Sequence, residues 1–184
     1  MNTGVIASRY AKALLSYVTE AGAGEKTYSQ ACVLVQSMRS VPQLREYILK
    51  HDDIPLEKKS ELMASALGEP LAVPLFRFMN LVTDYRRMEY FDSMLWAFIS
   101  RYREANSIKV GSLVTSVPDE GLRERLEKIF GDRTCCEVHF RTEVNPDLLG
   151  GFVFELDGYR LDASVRSRIE RIRRALVDDT NRIV

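Results

Sequence analysis

Apolar residues recur every three or four positions through the first hundred residues, and this period predicts one helix after another. Ile6, Tyr10, Leu14 and Val18 line a run from Val5 to Glu20, which Gly22 and Gly24 stop. Tyr28, Ala31, Val35 and Met38 share a face of a second run, from about Lys26 to Ser40. Pro42 opens a short helix to Lys50. Asp52, Asp53 and Pro55 mark the start of a fourth helix, which reaches Leu67 and is ended by Gly68 and Pro70. A fifth is predicted over Ala72 to Asp84, with Pro74 tolerable in its first turn. The sixth, from about Glu89 to Ala105, has the strongest period, through Tyr90, Phe91, Met94, Leu95, Phe98, Ile99 and Tyr102.

The pattern changes at Asn106. Ile108, Val110, Leu113, Val114 and Val117 suggest a strand ending at Pro118. Leu122, Leu126 and Ile129 are in helical register between Asp119 and Phe130, and Gly131 is expected to close that helix. Cys136, Val138 and Phe140 alternate as a half-buried strand does. Val144-Asn-Pro-Asp-Leu-Leu-Gly-Gly-Phe152 reads as a turn into a strand over Gly151 to Leu156. The glycine pair is read as a turn or bulge ahead of any ligand contact. Asp157-Gly158 signals a hairpin returning through Tyr159 to Leu161, and Asp162 or Ser164 can cap a last helix to Val177 or beyond. The fold class expected is therefore an N-terminal all-α six-helix bundle, residues 1–105, plus a small C-terminal α+β domain, residues 106–184. A domain of that second size is small for independent stability and gains from docking to something else.

Charge narrows the partners. The chain has 184 residues, 26 basic and 26 acidic, and a formal net charge of zero, so nothing in its balance favours nucleic acid or an anionic membrane. Arg9 and Lys12 interrupt the first apolar stretch before a secretory signal could form, and no window is long and apolar enough for a membrane span. Cys32, Cys135 and Cys136 read as free thiols of a reducing compartment, since neighbouring cysteines bridge only with strain. His139 is the one histidine near the cysteine pair, too little for a zinc site.

Reactive chemistry finds no footing. Gly22-Ala-Gly-Glu-Lys-Thr27 has Glu25 where a phosphate-binding loop needs glycine, and it follows a helix where that loop follows a strand. His51, Asp52 and Asp53 read as an acidic helix start, because adjacent residues rarely converge on a metal. No serine or cysteine sits in a nucleophile elbow. The expected answer is no catalytic residue, no metal and no cofactor.

The sharper signal is surplus apolar surface. A surface helix ordinarily carries one apolar stripe. The first helix carries Val5, Ile6, Ala7, Tyr10, Ala11, Ala13, Leu14, Leu15, Tyr17 and Val18, most of its circumference. The fifth carries Leu75, Phe76, Phe78, Met79, Leu81 and Val82 on two sides. Either both helices are central and fully buried, or they border a groove that accepts a helix from outside. The last helix sets Arg166, Arg168, Arg171, Arg173 and Arg174 around a stripe of Val165, Ile169, Ile172 and Leu176. That is a solvated basic face, a nucleic-acid surface lacking the interleaved aromatics of single-strand binders, or a docking face for an acidic protein.

Ala7-Ser-Arg-Tyr-Ala-Lys-Ala-Leu14, together with Val144-x-Pro146-x-Leu-Leu-Gly-Gly-Phe152, Asp162-x-Ser-Val165 and the arginine-rich helix, resembles the delta subunit family of F-type ATP synthases. The mitochondrial relative is the oligomycin-sensitivity-conferring protein. The resemblance spans the chain, and Asn145 stands where the family often has aspartate. It implies a non-catalytic stator subunit that resists rotor torque during ATP synthesis and proton transport. The helical domain would hold an alpha-subunit N-terminal helix between helices one and five, and the second domain would hold the b subunits of the peripheral stalk. Carried over to this chain, the groove residues expected are Ala7, Tyr10, Ala11, Leu14, Phe78, Met79 and Val82. Pro146, Gly150, Gly151, Phe152, Asp162 and Ser164 form the structural C-terminal motif, and Arg166, Arg171 and Arg174 are expected to dock the stalk. The location implied is the cytoplasmic face of a bacterial inner membrane, with membrane contact only through the complex and no nucleic acid. A helical or nucleic-acid adaptor using the last helix is the alternative.

Overall fold

In the computed structural model, the described residues are 3–50, 54–134 and 136–180. The acidic cluster His51, Asp52 and Asp53, the thiol of Cys135 and the side chain of Leu176 lie outside them. The chain is mostly helical, with a small mixed sheet near its C-terminus, and it divides into two compact units, Met1–Asn106 and Ser107–Val184.

The described residues of the first unit are helical: α1 (Thr3–Glu20), α2 (Gly24–Ser40), α3 (Pro42–Lys50), α4 (Leu56–Leu67), α5 (Val73–Asp84) and α6 (Phe91–Ala105), with a 3-10 turn at Met88–Tyr90 before α6. α1 packs chiefly on α6, and α2 lies against α6, α3 and α4. Their shared core runs from Ala7, Ala11 and Leu14 through Leu34 and Met38 to Leu75, Met79, Phe91, Leu95 and Phe98. A buried polar group braces the corner before α5. The Gln30 amide nitrogen donates to Glu69 Oε1 at 2.7 Å and to the Pro70 carbonyl at 2.9 Å, and its oxygen accepts from the Ala72 N–H at 2.7 Å. With its polar atoms satisfied, burial of the amide costs little. The Gln30 bond, followed by that from Lys26, lowers the Glu69 carboxyl below its ordinary range.

The second unit sets β1 (Ile108–Thr115), β2 (Glu137–Val144), β3 (Phe152–Leu156) and β4 (Tyr159–Asp162) in the order β2-β1-β3-β4. β1 and β2 are parallel, with Gly111 opposite Phe140, and α7 (Glu120–Thr134) crosses between them. β3 runs antiparallel to both β1 and β4. Leu113, Leu126, Val138, Phe140, Phe154 and Leu156 form a separate core, in which the Phe130 ring meets the Phe154 ring edge-on at 4.9 Å. The β3–β4 hairpin turns through Asp157 and Gly158, both at positive φ, which matches strand twist.

Several boundaries differ from expectation. α7 runs through Gly131 to Thr134, because one glycine costs a helix only about 1 kcal/mol and Phe130 anchors the stretch to the sheet. β1 ends at Thr115, short of Val117, while β2 extends past Phe140 to Val144 because every added residue pairs with β1. Pro146–Leu148 is a 3-10 turn, capped by the Asn145 side chain accepting from the Asp147 N–H at 2.9 Å. Asparagine therefore does at this position what an aspartate would do.

The last helix, α8 (Val165–Thr180), begins in a cluster of side-chain caps. Ser164 Oγ accepts from the Ser167 N–H at 3.2 Å. Asp162 accepts from the Ser164 N–H at 2.9 Å and from the Ser167 hydroxyl at 2.7 Å. The bonds from Ser164, then Ser167, hold the Asp162 carboxyl down to about 2 from its ordinary 3.8. Gly151 fixes the approach to β3, because its φ is +74° and a β-carbon there would run into the Ala163 carbonyl.

Two outcomes follow from this corner. Gly151→Ala should destabilise the second unit by about 2–4 kcal/mol through left-handed strain and collision, read as faster hydrogen exchange in β3 and β4. Because the Asp162 pKa is lower folded than unfolded, its contribution is full above 3.8 and fades as pH falls toward about 2. Asp162→Asn should flatten that limb of an acid titration followed by the same exchange, and an unchanged limb would remove Asp162 from the acid response.

Candidate docking surfaces

The residues expected to line a groove point the other way. Ala7, Tyr10, Ala11, Leu14, Phe78, Met79 and Val82 are all between 0 and 9% exposed and belong to the core of the first unit. The physical reason lies in their spacing: positions 7, 10, 11, 14 and 18 of α1 fall on one arc at 100° per residue, as do 75, 78, 79 and 82 of α5. Those arcs are the ones a core takes. Tyr10 illustrates it, with its ring edge-on to Phe78 at 6.3 Å and its hydroxyl accepting from Arg87 Nη1 at 3.0 Å.

Part of the apolar surplus sits on the seam between the same two helices, while Val5 and Phe76 fall on other exposed sides. Ile6, Ala13 and Tyr17 fall on the edge of α1 from which Tyr10 reaches Phe78; Leu81 falls on the facing edge of α5, and Tyr85 follows as its C-cap residue. Arg77 Nη1 donates to Tyr17 Oη across the seam at 2.7 Å. Leu81 is 44% exposed and Tyr85 63%. Ile6, Ala13, Tyr17 and Leu81 all belong to the apolar surplus, so the signal was present, but two apolar arcs on one helix do not say which faces inward.

The C-terminal motif is a backbone device. Pro146 starts the 3-10 turn, and Leu149 ends it at φ +61°, its N–H donating to the Pro146 carbonyl at 3.0 Å. A left-handed leucine costs about 1–2 kcal/mol. The Val165 N–H then donates to the Gly150 carbonyl at 3.0 Å, and the Ala163 N–H to the Phe152 carbonyl at 2.9 Å, tying β3 to the start of α8. Ser164 is buried and Phe152 partly so, while Gly151 and Asp162 are exposed. None of these groups is placed for bond-breaking.

The basic helix separates its arginines by role. Arg166 pairs with Glu170 at 3.5 Å, and Arg174 reaches the same carboxylate at 3.9 Å. Arg171 Nε donates back to the Ser167 carbonyl at 3.3 Å. The three arginines expected to dock a stalk are therefore engaged on α8 itself, by bonds that are exposed and weak. Arg168 and Arg173 carry no such bond among the described residues and border the apolar stripe; sequence reasoning placed them on this helix but left them out of the docking set.

Two open clefts lie elsewhere on the first unit. One of about 570 Å³ is lined by Val35, Met38, Arg39, Pro42, Arg45, Asp92 and Trp96, with Arg45 Nε donating to Asp92 Oδ2 at 2.7 Å. The other, about 770 Å³, lies between α3 and α4 beside Leu44, Tyr47, Leu62 and Ala66. Neither joins a nucleophile to a base. Among the described residues no three His, Cys, Asp or Glu side chains are grouped to hold a metal, and no helix is long and apolar enough to cross a membrane.

Comparison with known proteins gives this geometry a context. The profile of the ATP synthase delta (OSCP) subunit family matches residues 6–176. The chain is 37% identical to the ATP synthase subunit delta of Phocaeicola vulgatus over the full length of both, and 33% identical to that of Bacteroides fragilis, again over both full lengths. A chain in a cryo-EM structure of the Toxoplasma gondii mitochondrial ATP synthase hexamer shares the fold with a TM-score of 0.60 at 16% identity, covering 93% of this chain and 97% of that one.

The reassignment of α1 can be tested without any partner. Tyr10→Asp buries a charge beside Phe78 and removes a ring, and should destabilise the first unit by about 3–5 kcal/mol. Leu81→Asp, on the exposed edge, should change stability by only about 0.5 kcal/mol. Urea unfolding followed by Trp96 emission measures both, and equal losses would reject the distinction between core arc and seam.

Proposed function

The chain belongs to the ATP synthase delta (OSCP) family, and from that premise we propose that each of its two units grips a different part of the enzyme. It is a non-catalytic stator subunit linking the catalytic head to the peripheral stalk. It is a peripheral part of a membrane-bound complex. In this reading the first unit is a six-helix bundle for the head, residues 1–105, and residues 106–184 form the stalk-binding domain. The enzyme is the bacterial one, with the subunit on the cytoplasmic face of the inner membrane.

The observation that supports the head assignment most directly is the α1–α5 seam. Ile6, Ala13, Tyr17, Leu81 and Tyr85 give it apolar length, and Ala13 lets an incoming backbone come close. An alpha-subunit N-terminal helix that buried four large side chains there would gain roughly 1.5–3 kcal/mol for each. After the cost of association that suffices for affinity in the nanomolar range, about −12 kcal/mol. Ala7, Tyr10, Ala11, Leu14, Phe78, Met79 and Val82 act beneath the seam as its floor and support.

On the stalk side, α8 supports docking of the b subunits by its exposed apolar stripe and its arginines. The zero net charge of the chain argues against general affinity for nucleic acid.

Calorimetric titration with the alpha-subunit N-terminal peptide is the test for the seam. Trp96 lines the cleft beside Met38 and Arg45, away from this seam, so its emission is not the reporter to use. Leu81→Asp and Ala13→Arg should each weaken binding at least about tenfold with the helical content unchanged. Retention of wild-type affinity by both variants would move the head contact elsewhere. Recovery of the alpha and b subunits with the tagged chain from native membranes tests the two grips together.

A further inference from the structure

Leu149 is a large apolar residue in a place that suits neither its backbone nor its side chain. Its φ is +61° and ψ −10°, a conformation that ordinarily selects glycine or asparagine, and it is 69% exposed. It is absent from the core around Phe140 and Phe154. Strain held at an exposed position points outward, to something the residue meets when the protein works.

Its neighbourhood says what that is. Gly150, the next residue, lies against the Val165 side chain, so closely that a β-carbon on Gly150 would press on it. The Val165 N–H also donates to the Gly150 carbonyl at 3.0 Å, so the Leu149 backbone lies next to the N-terminal end of α8. Val165, Ile169 and Ile172 of the α8 stripe are 40, 52 and 55% exposed, and Leu149, beside its start, is 69% exposed. Arg168 stands on one border of the α8 stripe and Arg173 on the other, neither in an ion pair among the described residues, while Arg166 and Arg174 share Glu170. Unpaired guanidinium groups on both borders of an apolar line are complementary to carboxylates flanking an apolar stripe.

We propose that Leu149 and the Val165–Ile172 face of α8 form one docking surface for an amphipathic helix whose apolar stripe is bordered by aspartate or glutamate, with Leu149 as its anchor and Arg168 and Arg173 as its charge selectors. This rests on the assignment of the second unit to the stalk and names the chemistry of the segment it would hold. The 3-10 turn and the Gly150–Val165 contact place the anchor before the partner arrives, so less side-chain and backbone freedom is lost on binding.

The experiment uses the full chain and two short stapled helical peptides with the same leucine stripe, one flanked by glutamates and one by lysines. Calorimetry should show the glutamate peptide binding at least about tenfold more tightly, with affinity falling as salt rises. Leu149→Asn keeps a residue that accepts left-handed backbone and should weaken the glutamate peptide about tenfold or more, with thermal unfolding at or above the wild-type midpoint. The Arg168→Glu, Arg173→Glu double variant should reverse the preference toward the lysine peptide, a result that unfolding cannot produce. Equal affinity for both peptides, or a Leu149→Asn variant that binds as tightly as the parent, would overturn the proposal. Assembly in native membranes separates the two layers. If Leu149→Asn loses the peptide but still recovers the b subunits, the surface stands and its assignment to the stalk falls. If the peptides do not bind while assembly is intact, the docking chemistry falls alone.

Discussion

A helix can present only part of its circumference to a core, and this limit governs both units. In the first, the α1 arc from Ala7 through Ala11 and Leu14 to Val18 is wholly used against neighbouring helices. Once that arc is buried, every other apolar residue of α1 must lie at an edge or in solvent. The same holds for α5, whose Phe78, Met79 and Val82 are spent inward while Leu81 and Tyr85 remain outside. In the second unit α7 covers the sheet, and the apolar line of α8 stays open. Adhesive surface is therefore what remains when a small core has taken what it can hold. For a subunit whose work is to join two assemblies, that remainder is the functional part.

How much of this was readable beforehand depended on whether local pattern or pairing decided the matter. The period through Phe91, Met94, Leu95, Phe98 and Ile99 specified α6 because all five are buried on one side. The Asp157-Gly158 hairpin was readable because few other residue pairs accept two positive φ values. The orientation of α1 was not, because Ile6, Ala13 and Tyr17 are as apolar as Ala7 and Ala11, and only three-dimensional neighbours choose between them. The length of β2 beyond Phe140 was likewise set by pairing with β1, since Arg141, Thr142 and Glu143 do not spell a strand by themselves. Leu149 escaped notice because nothing in a Leu-Leu pair announces that the second backbone is left-handed.

The polar groups follow a complementary rule. Those that are buried or specially placed fix chain reversals: Gln30 before α5, Asn145 at the 3-10 turn, and Asp162 and Ser164 at the head of α8. Each has its partners within its own corner. Arg168 and Arg173, by contrast, border the exposed apolar stripe of α8 without an ion pair among the described residues.

Trp96 is the chain's one tryptophan, and it lies in the helical unit. Its indole fluorescence reports on the unit that holds it, whereas circular dichroism sums over both halves. Disagreement between the two optical traces in a denaturation series would reveal whether the halves come apart as one cooperative block or independently. The placement of one chromophore thus gives the intact chain a built-in means of asking whether it unfolds in one transition or two.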